Sequence, residues 1–205
     1  MNNTSNSCDI KICSINICGF SERSKFVLDK YADKEKWDMV LIQETGSANV
    51  GKINLSNMST ITDSNESINK GAATCVQNNH SITKLEEISR NYKNIDCCWG
   101  LTVINNTRYI IGNVYVKLGN PSGIDDVISM LGKAQQMNTK LKSKGIILIG
   151  DMNARHQMWG DSTSNEYGRK LFEKLDQSQF SIMTAHHSSV QTVPVASIWS
   201  LSLIT

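Results

Sequence analysis

Hydrophobic and polar residues follow two different periods along this chain, and the alternation of these periods predicts successive strands and helices. Runs of aliphatic and β-branched residues predict buried strands at DIKICSINICGF, MVLIQET and GAATCVQ. The run at residues 146–149 predicts another short core strand, because Gly145 and Gly150 bound it on both sides. The stretch SIWSLSLIT predicts a final strand.

Apolar residues at helical spacing predict three helices between these strands. Ser21 is the predicted N-cap of the first helix. The second covers residues 122–144, where Ser122 and Asp125 match a capping box and Gly145 is the predicted stop. The apolar positions of the three helices are, in chain order, Leu28, Tyr31 and Ala32; Ile124, Val127, Ile128, Leu131, Ala134 and Leu141; and Leu171, Phe172 and Leu175.

The remaining segments decide the predicted fold class. LTVI and RYIIGNVYV flank Asn105 and Asn106, and since Asn tolerates positive φ this arrangement predicts a β-hairpin. Residues 46–70 are rich in Ser, Asn and Gly and are predicted to be a long loop. Helices interleaved with strands, together with an antiparallel hairpin, favour an α/β sandwich with mixed sheets over a purely parallel doubly wound sheet. Residues 1–205 are predicted to form one domain.

Composition narrows the class of protein only moderately. The net charge of +2 permits a nucleic-acid partner but does not by itself indicate one. The six cysteines form no CxxC pair, and Cys13, Cys18 and Cys75 lie in apolar stretches that predict small core residues. The polar N-terminus does not resemble a signal peptide, and no apolar run approaches the roughly 20 residues of a membrane span. These features predict an intracellular protein with reduced thiols and no membrane partner.

Polar residues stand at the ends of four predicted strands. Asn16, Glu44 and Tyr115 each lie near a strand end, and Asp151 with Asn153 follows the strand at residues 146–149. If these ends meet at one rim, they bring carboxylates, amides and a phenol together. Such a cluster suits Mg²⁺ and a phosphate, because Mg²⁺ prefers carboxylate oxygens and an amide can donate to phosphate without adding charge. A second carboxylate can orient or deprotonate an attacking water.

Each of these residues has an ordinary explanation when it is taken alone. Glu44 would be a solvated loop residue, Asn16 a turn former and Tyr115 a packed aromatic. His156 and Trp159 would simply cover the rim, and no Ser/His/Asp order is present. Only the combination of these strand ends is specific.

The order INICGF, LIQET, NVYV and GDMNARH resembles that of the endonuclease/exonuclease/phosphatase superfamily. The block IGDMNARHQMWGDSTSNEYGRKLFEKL is similar to the endonuclease domain of non-LTR retrotransposons, in which a GDFNAHHPLWG-type motif precedes an N-x-x-G-x-x-L helix. The resemblance covers nearly the whole chain. It implies a four-layer α/β sandwich of two mixed β-sheets flanked by helices, and metal-dependent cleavage of phosphodiester bonds in DNA.

The resemblance also implies a role for each residue at the matching position. Glu44 would be the main ligand of Mg²⁺ or Mn²⁺, with Asn16 beside it at the metal and the phosphate. Asp151 would orient or activate the nucleophilic water. Asn153 would hold the scissile phosphate, and Tyr115 would contact that phosphate or stabilise the leaving group.

Two departures from the family pattern affect the expected activity. The last strand of the family reads S-x-I-D-L, whereas SIWSL puts Ser200 in place of that Asp. The family then continues through another strand to an Asp-His pair, which lies beyond Thr205, and His186 and His187 come too early to match it. We therefore expect a fold that lacks the family's last strand, in a truncated or decayed copy or a fragment of a longer polyprotein.

Three functions remain in competition. The first is a nicking endonuclease for target-primed retrotransposition, with DNA and a reverse transcriptase domain as partners and the nucleus as its place of action. The second is a catalytically dead DNA-binding remnant, which Ser200 favours. The third is a phosphatase or phosphodiesterase of the same superfamily, which the retrotransposon-like block argues against. Plasmid nicking beside a DNA-binding assay distinguishes the three.

Overall fold

The computed structural model describes most of the chain. Residues 182–184 and 201–204 are described by their backbone alone. The described ranges are residues 10–46, 53–63, 71–89, 92–178, 180–184 and 201–204. The predictions for Ser200, His186 and His187 lie outside these ranges.

The first sheet contains four strands from the N-terminal part of the chain. They are β1 (Ile12–Asn16), β2 (Met39–Gln43), β3 (Met58–Thr62) and β4 (Ala72–Gln77). Their order in the sheet is β1-β2-β4-β3, in which β1 and β2 are parallel and the other neighbours are antiparallel. Helix α1 (Glu22–Glu35) connects the two parallel strands.

The second sheet contains six strands in the order β5-β6-β7-β8-β10-β9. Among these pairs β7 and β8 are parallel, and helix α3 (Gly123–Leu141) connects them. Two further helices, α2 (Glu86–Ser89) and α4 (Glu166–Asp176), follow β5 and β8. The strands are β5 (Ser81–Lys84), β6 (Ile95–Ile104), β7 (Thr107–Val116), β8 (Ile146–Asp151), β9 (Ser181–Thr184) and β10 (Leu201–Ile204).

The two mixed sheets pack face to face, and helices cover their outer faces. Between the sheets, Met39 and Leu41 of β2 share an apolar cluster with Ile111 of β7 and Ile149 of β8. Leu28 of α1 packs on the outer face of the first sheet, and residues of α3 and α4 pack on the outer face of the second. The predicted four-layer α/β sandwich is confirmed.

The helix ends confirm one predicted cap and correct another. Ser21 caps α1, because its Oγ accepts from the backbone N–H of Ser24 at 3.1 Å. The capping box predicted at Ser122 is wrong: Ser122 has helical backbone angles and makes no side-chain cap bond. Its hydroxyl instead accepts from Asn94 at 3.0 Å. The predicted stop at Gly145 is also wrong, because Lys142 ends the helix in a left-handed conformation with φ 51°.

The β-hairpin is confirmed, whereas the long loop is not. Asn105 and Asn106 have φ values of 49° and 62° and join β6 directly to β7. The predicted loop at residues 46–70 is wrong at residues 58–62, which form β3. Its sequence, MSTIT, is too polar to show an apolar run, and β3 lies at the edge of its sheet.

The described cysteines are free thiols that differ in how deeply they are buried. They are Cys13, Cys18, Cys75, Cys97 and Cys98. Cys75 is fully buried as predicted, and Cys13 is half-buried. The prediction that Cys18 is a core residue is wrong, because Cys18 lies in the turn after β1 with φ 49° and is exposed. None of the helices in the described part of the chain is both long and apolar enough to cross a membrane.

Candidate active site

The strand ends that carry the predicted polar residues meet at one rim of the sandwich. Asn16 is the last residue of β1, and Glu44 directly follows the neighbouring parallel strand β2. On the second sheet, Tyr115 of β7 is paired in register with Asp151, the last residue of the parallel strand β8. Asn153 follows two residues later. Because parallel strands end at the same edge of a sheet, each sheet contributes one half of the site.

The amide of Asn16 joins these two halves. Its Nδ2 lies 3.0 Å from Glu44 Oε1 and 2.9 Å from Asp151 Oδ2, so one amide nitrogen donates to both carboxylates. Its Oδ1 accepts from the backbone N–H of Cys18 at 3.2 Å, and this bond fixes the orientation of the amide. All three site side chains are half-buried. Hydrogen bonds to charged groups are stronger than neutral ones, so the cluster is held firmly.

A backbone conformation at the end of β2 directs Glu44 into the site. Successive side chains of a strand alternate between its faces, and Gln43 already points between the sheets. A continued strand would therefore direct Glu44 to the opposite face. Instead Glu44 has φ 52°, and its carbonyl accepts from the backbone N–H of Gly19 at 2.7 Å. The strand thus ends in a left-handed residue, a conformation that residues other than Gly seldom adopt.

Both carboxylate oxygens of Asp151 have donors. Oδ2 accepts from Asn16, and Oδ1 accepts from the backbone N–H of Asn153 at 3.0 Å. Asn153 has φ 51°, and its Nδ2 donates to the carbonyl of Val116 at 2.7 Å. These contacts hold Asp151 and Asn153 in one fixed arrangement at the exit of β8.

Tyr115 lies at the base of the rim, and it has a buried acidic neighbour that the sequence reading missed. Tyr115 is 1% exposed and is paired in register with Asp96 of β6. Asp96 is fully buried, and its Oδ1 lies 2.8 Å from Nζ of Lys117. Asp96, Tyr115 and Asp151 therefore form one row across three strands. The sequence signal was an acid within a strand of otherwise apolar residues, which requires a partner cation when it is buried.

A buried polar pair that connects the sheets was also missed. Gln43 Nε2 donates to Asn113 Oδ1 at 2.6 Å across the interface. Asn113 Nδ2 donates to the backbone carbonyls of Ile42 and Ala73 at 3.1 and 2.9 Å. Gln43 precedes Glu44, and Asn113 lies two residues before Tyr115, so this pair fixes the two halves of the site relative to each other.

The donor set is compatible with Mg²⁺ that keeps some of its waters. Within the described ranges, no group of three or more His, Cys, Asp or Glu side chains could hold a metal ion. Glu44 and Asp151 supply two carboxylates, and the amide nitrogen of Asn16 donates a hydrogen bond to each of them. Mg²⁺ typically binds through one or two carboxylates, substrate phosphates and water, which is what this rim offers.

The segment that follows β8 packs compactly beside the site. The ring of His156 stacks on Phe172 of α4 with centroids 4.7 Å apart, and Trp159 packs against the same histidine. His156 therefore has a structural contact here, in agreement with the ordinary explanation. Gly150 leaves room for β7, because a Cβ at this position would lie 1.9 Å from the carbonyl oxygen of Val114.

Comparisons with known proteins bear on the family and the fold of the chain. A family model described as "Endonuclease-reverse transcriptase" matches residues 109–200. No curated protein sequence matches the chain. Among solved structures, the endonuclease domain of TRAS1, a telomere-specific non-LTR retrotransposon, is 14% identical with a TM-score of 0.70. The match covers 95% of this chain and 83% of that one.

Two other solved structures share the fold. A mannosyl-6-phosphatase from Bacteroides thetaiotaomicron is 11% identical with a TM-score of 0.62, over 96% of this chain and 85% of that one. TDP2 from D. rerio, in complex with a single-strand DNA product, is 14% identical with a TM-score of 0.53, over 95% and 83%. The resemblance predicted from the sequence is thus confirmed: the chain has the fold of the endonuclease/exonuclease/phosphatase superfamily and resembles its retrotransposon endonuclease domains.

Proposed function

We propose that this protein is a metal-dependent endonuclease that nicks DNA. The observation that carries the proposal is the double contact of Asn16, whose amide nitrogen touches Glu44 of one half-site and Asp151 of the other. A site in which two carboxylates from different sheets converge on one polar group suits the hydrolysis of a phosphate ester. Fixed geometry is what such a reaction requires from its protein groups.

Glu44 would be the main ligand of Mg²⁺ or Mn²⁺, with Asn16 beside it at the metal and the phosphate, and the cation when bound would supply positive charge to a phosphate oxygen. Asp151 would position a water molecule and take up its proton as the water oxygen attacks phosphorus. Its orientation is set by Asn16 and by the backbone N–H of Asn153. The bond from phosphorus to the leaving oxygen then breaks, and that oxygen takes up a proton from solvent.

Asn153 and Tyr115 would contact the phosphate. The Nδ2 of Asn153 donates one N–H to Val116, and an amide nitrogen carries a second N–H that can reach a substrate oxygen. The Tyr115 hydroxyl would stabilise the same phosphate or the leaving oxygen. Donors that are oriented before the substrate arrives lower the cost of the charge that develops in the transition state.

DNA is the proposed substrate because two kinds of support agree. The TRAS1 neighbour is a retrotransposon endonuclease domain, and the TDP2 neighbour contains single-strand DNA. The block after β8 also carries the exposed cations Arg155 and Arg169, which suit a phosphate backbone. From the same resemblance we propose a reverse transcriptase domain as partner and the nucleus as the place of action.

The test is nicking of supercoiled plasmid in Mg²⁺, Mn²⁺ and chelator. Wild type should nick only with a cation. Glu44→Gln and Asp151→Asn should each lower the rate by about 10²-fold or more, since each removes a group that acts on the reacting atoms. Asp151→Asn should keep nearly all of its DNA affinity. Glu173→Gln, an exposed glutamate of α4, is the matched control and should nick like wild type.

Two outcomes would contradict the proposal and favour the competing functions. DNA binding by wild type without any cation-dependent nicking would indicate a catalytically dead DNA-binding protein. Hydrolysis of small phosphomonoesters that exceeds DNA cleavage would indicate a phosphatase. Undiminished nicking by Glu44→Gln would remove Glu44 from the metal site.

A further inference from the structure

One side chain fastens the segment that carries Asn153 to the start of helix α4. Asn165 is the N-cap of α4, and its Oδ1 accepts from the backbone N–H of Gly168 at 2.8 Å. The same oxygen accepts from the backbone N–H of Arg155 at 3.0 Å. Its Nδ2 donates to the backbone carbonyl of Asn153 at 2.7 Å. Asn165 therefore contacts the chain on both sides of residue 154.

The backbone of the helix supports the same contact. The N–H of Asn165 donates to the carbonyl of Arg155 at 2.9 Å. A Cβ at Gly168 would lie 1.8 Å from that carbonyl oxygen, so the close approach requires glycine there. The segment 153–155 is thus hydrogen-bonded to the first turn of α4 and packed against it.

The contact matters for Asn153 because this residue has a left-handed backbone conformation, which few residues other than Gly, Asn and Asp adopt. Its φ is 51°, which places its side chain toward Val116 and its N–H toward Asp151. The bond from Asn165 Nδ2 fixes the carbonyl of Asn153, and with it the peptide plane that follows. Without that bond, one of the contacts that stabilise the left-handed conformation of Asn153 would be lost.

We propose that Asn165 is a positioning residue for the reaction and acts through Asn153. This inference rests on the proposed function, since it takes Asn153 as the group that contacts the scissile phosphate. Asn165 does not itself touch the reacting atoms. Its role is to hold Asn153 so that the second N–H of the amide points to a substrate oxygen.

The two functions of Asn165 can be separated by one substitution. The Oδ1 atom caps the helix, and the Nδ2 atom positions Asn153. Asn165→Asp keeps an oxygen that can cap the helix, because Asp is among the best N-cap residues. It replaces the nitrogen donor with a second oxygen, which cannot donate to the carbonyl of Asn153.

The experiment compares Asn165→Asp, Asn153→Ala and the double variant in plasmid nicking and thermal unfolding. Asn165→Asp should unfold cooperatively at a temperature about 2–4 °C below that of wild type, because the carbonyl of Asn153 loses its donor. Its kcat should be about 10-fold lower, since small displacements of a reacting group are costly. In the Asn153→Ala background, Asn165→Asp should change kcat by less than about 2-fold, because residues that act as a unit are not additive. Additive losses would overturn the inference.

A matched control accounts for the added charge. Ser164→Asp places a carboxylate at the adjacent residue, where the serine Oγ accepts from the backbone N–H of Gln157. It should leave kcat close to that of wild type. A loss equal to that of Asn165→Asp would show that charge, and not the missing donor, is responsible, and would also overturn the inference.

A second measurement does not depend on activity. The backbone amide resonance of Asn153 should shift in the NMR spectrum of Asn165→Asp and stay in place in Ser164→Asp. An unchanged resonance in Asn165→Asp overturns the inference whether or not the protein nicks DNA. Absence of nicking by wild type overturns the proposed function instead, whatever the resonance does.

Discussion

A hydrogen bond of 2.9 Å joins Asn16 to Asp151, two residues that are 135 positions apart in the sequence. Asn16 ends a strand of the first sheet and Asp151 ends a strand of the second, so this bond closes the rim between the sheets. The same amide nitrogen also donates to Glu44. The rim therefore has one donor for two carboxylates, and the balance of charge at the site depends on Asn16.

Replacing that donor by an acid should make the fold depend on a divalent cation. In Asn16→Asp, three carboxylates would meet where an amide now donates to two. We expect the free energy of unfolding in chelator to fall by about 2 kcal/mol or more, because hydrogen bonds to charged groups are lost and like charges repel. Mg²⁺ should restore much of it, as measured by thermal unfolding. Asn16→Ala should respond less to Mg²⁺, and an equal response would show that the cation does not bind between these residues.

Gln43 and Asn113, the amide pair between the sheets, should have coupled effects on the free energy of unfolding. Asn113→Leu removes its hydrogen bonds to the carbonyls of Ile42 and Ala73 and one acceptor of the Gln43 amide, which keeps its bond to Ser14 Oγ at 3.1 Å. We expect a loss of about 1–3 kcal/mol, since buried polar groups lose part of their hydrogen bonding. Urea denaturation measures the change. Adding Gln43→Leu should cost less than the sum of the two single variants, and strict additivity would contradict the coupling.

Two helical glycines should respond to alanine with opposite signs. At Gly168 of α4 a Cβ would lie 1.8 Å from the carbonyl of Arg155, whereas at Gly132 of α3 nothing lies within 4 Å. Gly168→Ala should lower the free energy of unfolding by about 1–3 kcal/mol through this clash. Gly132→Ala should raise it by about 0.5–1 kcal/mol, because Gly weakens a helix interior. Chemical denaturation measures both free energies of unfolding. Stabilisation by both variants would contradict a close approach at Gly168.

The buried thiols should weaken the fold in alkaline solution. Burial raises the pKa of Cys98 from 9.0 to about 12, so the unfolded chain loses this proton first as the pH rises. Stability due to this thiol is therefore complete below about pH 9 and falls above it, with a slope of about 1.4 kcal/mol per pH unit. Urea denaturation from about pH 8 to about pH 10.5 should show a shallower decline for Cys98→Ala than for wild type. Parallel curves would contradict the assignment.

The sequence predicted the core strands and the two-residue hairpin well, because their signals are local. Edge strands were harder: β3 and β5 have few apolar residues, and their sequences do not differ from those of polar loops. The cap at Ser122 failed for another reason. Its hydroxyl binds Asn94, which is 28 residues away, and no local motif contains that competitor.

The candidate site could be predicted as a set of residues but not as a geometry. Asn16, Glu44 and Asp151 were identified because each ends a recognisable strand. The inward turn of Glu44 depends on a positive φ that the sequence does not specify. The polar residues Gln43 and Asn113 lie within apolar strands and find their partners in the opposite sheet. Such pairs become visible only when the two sheets are placed together.

The separation of the two half-sites along the chain also sets the order in which the site is made. The strands β1 to β4 end at Gln77, before the first strand of the second sheet begins at Ser81. A ribosome has therefore synthesised the whole sequence of the first sheet, including Asn16 and Glu44, well before it reaches Asp151. Every nascent chain that ends before residue 151 has half a site. The site therefore cannot form until the chain has been synthesised through Asp151.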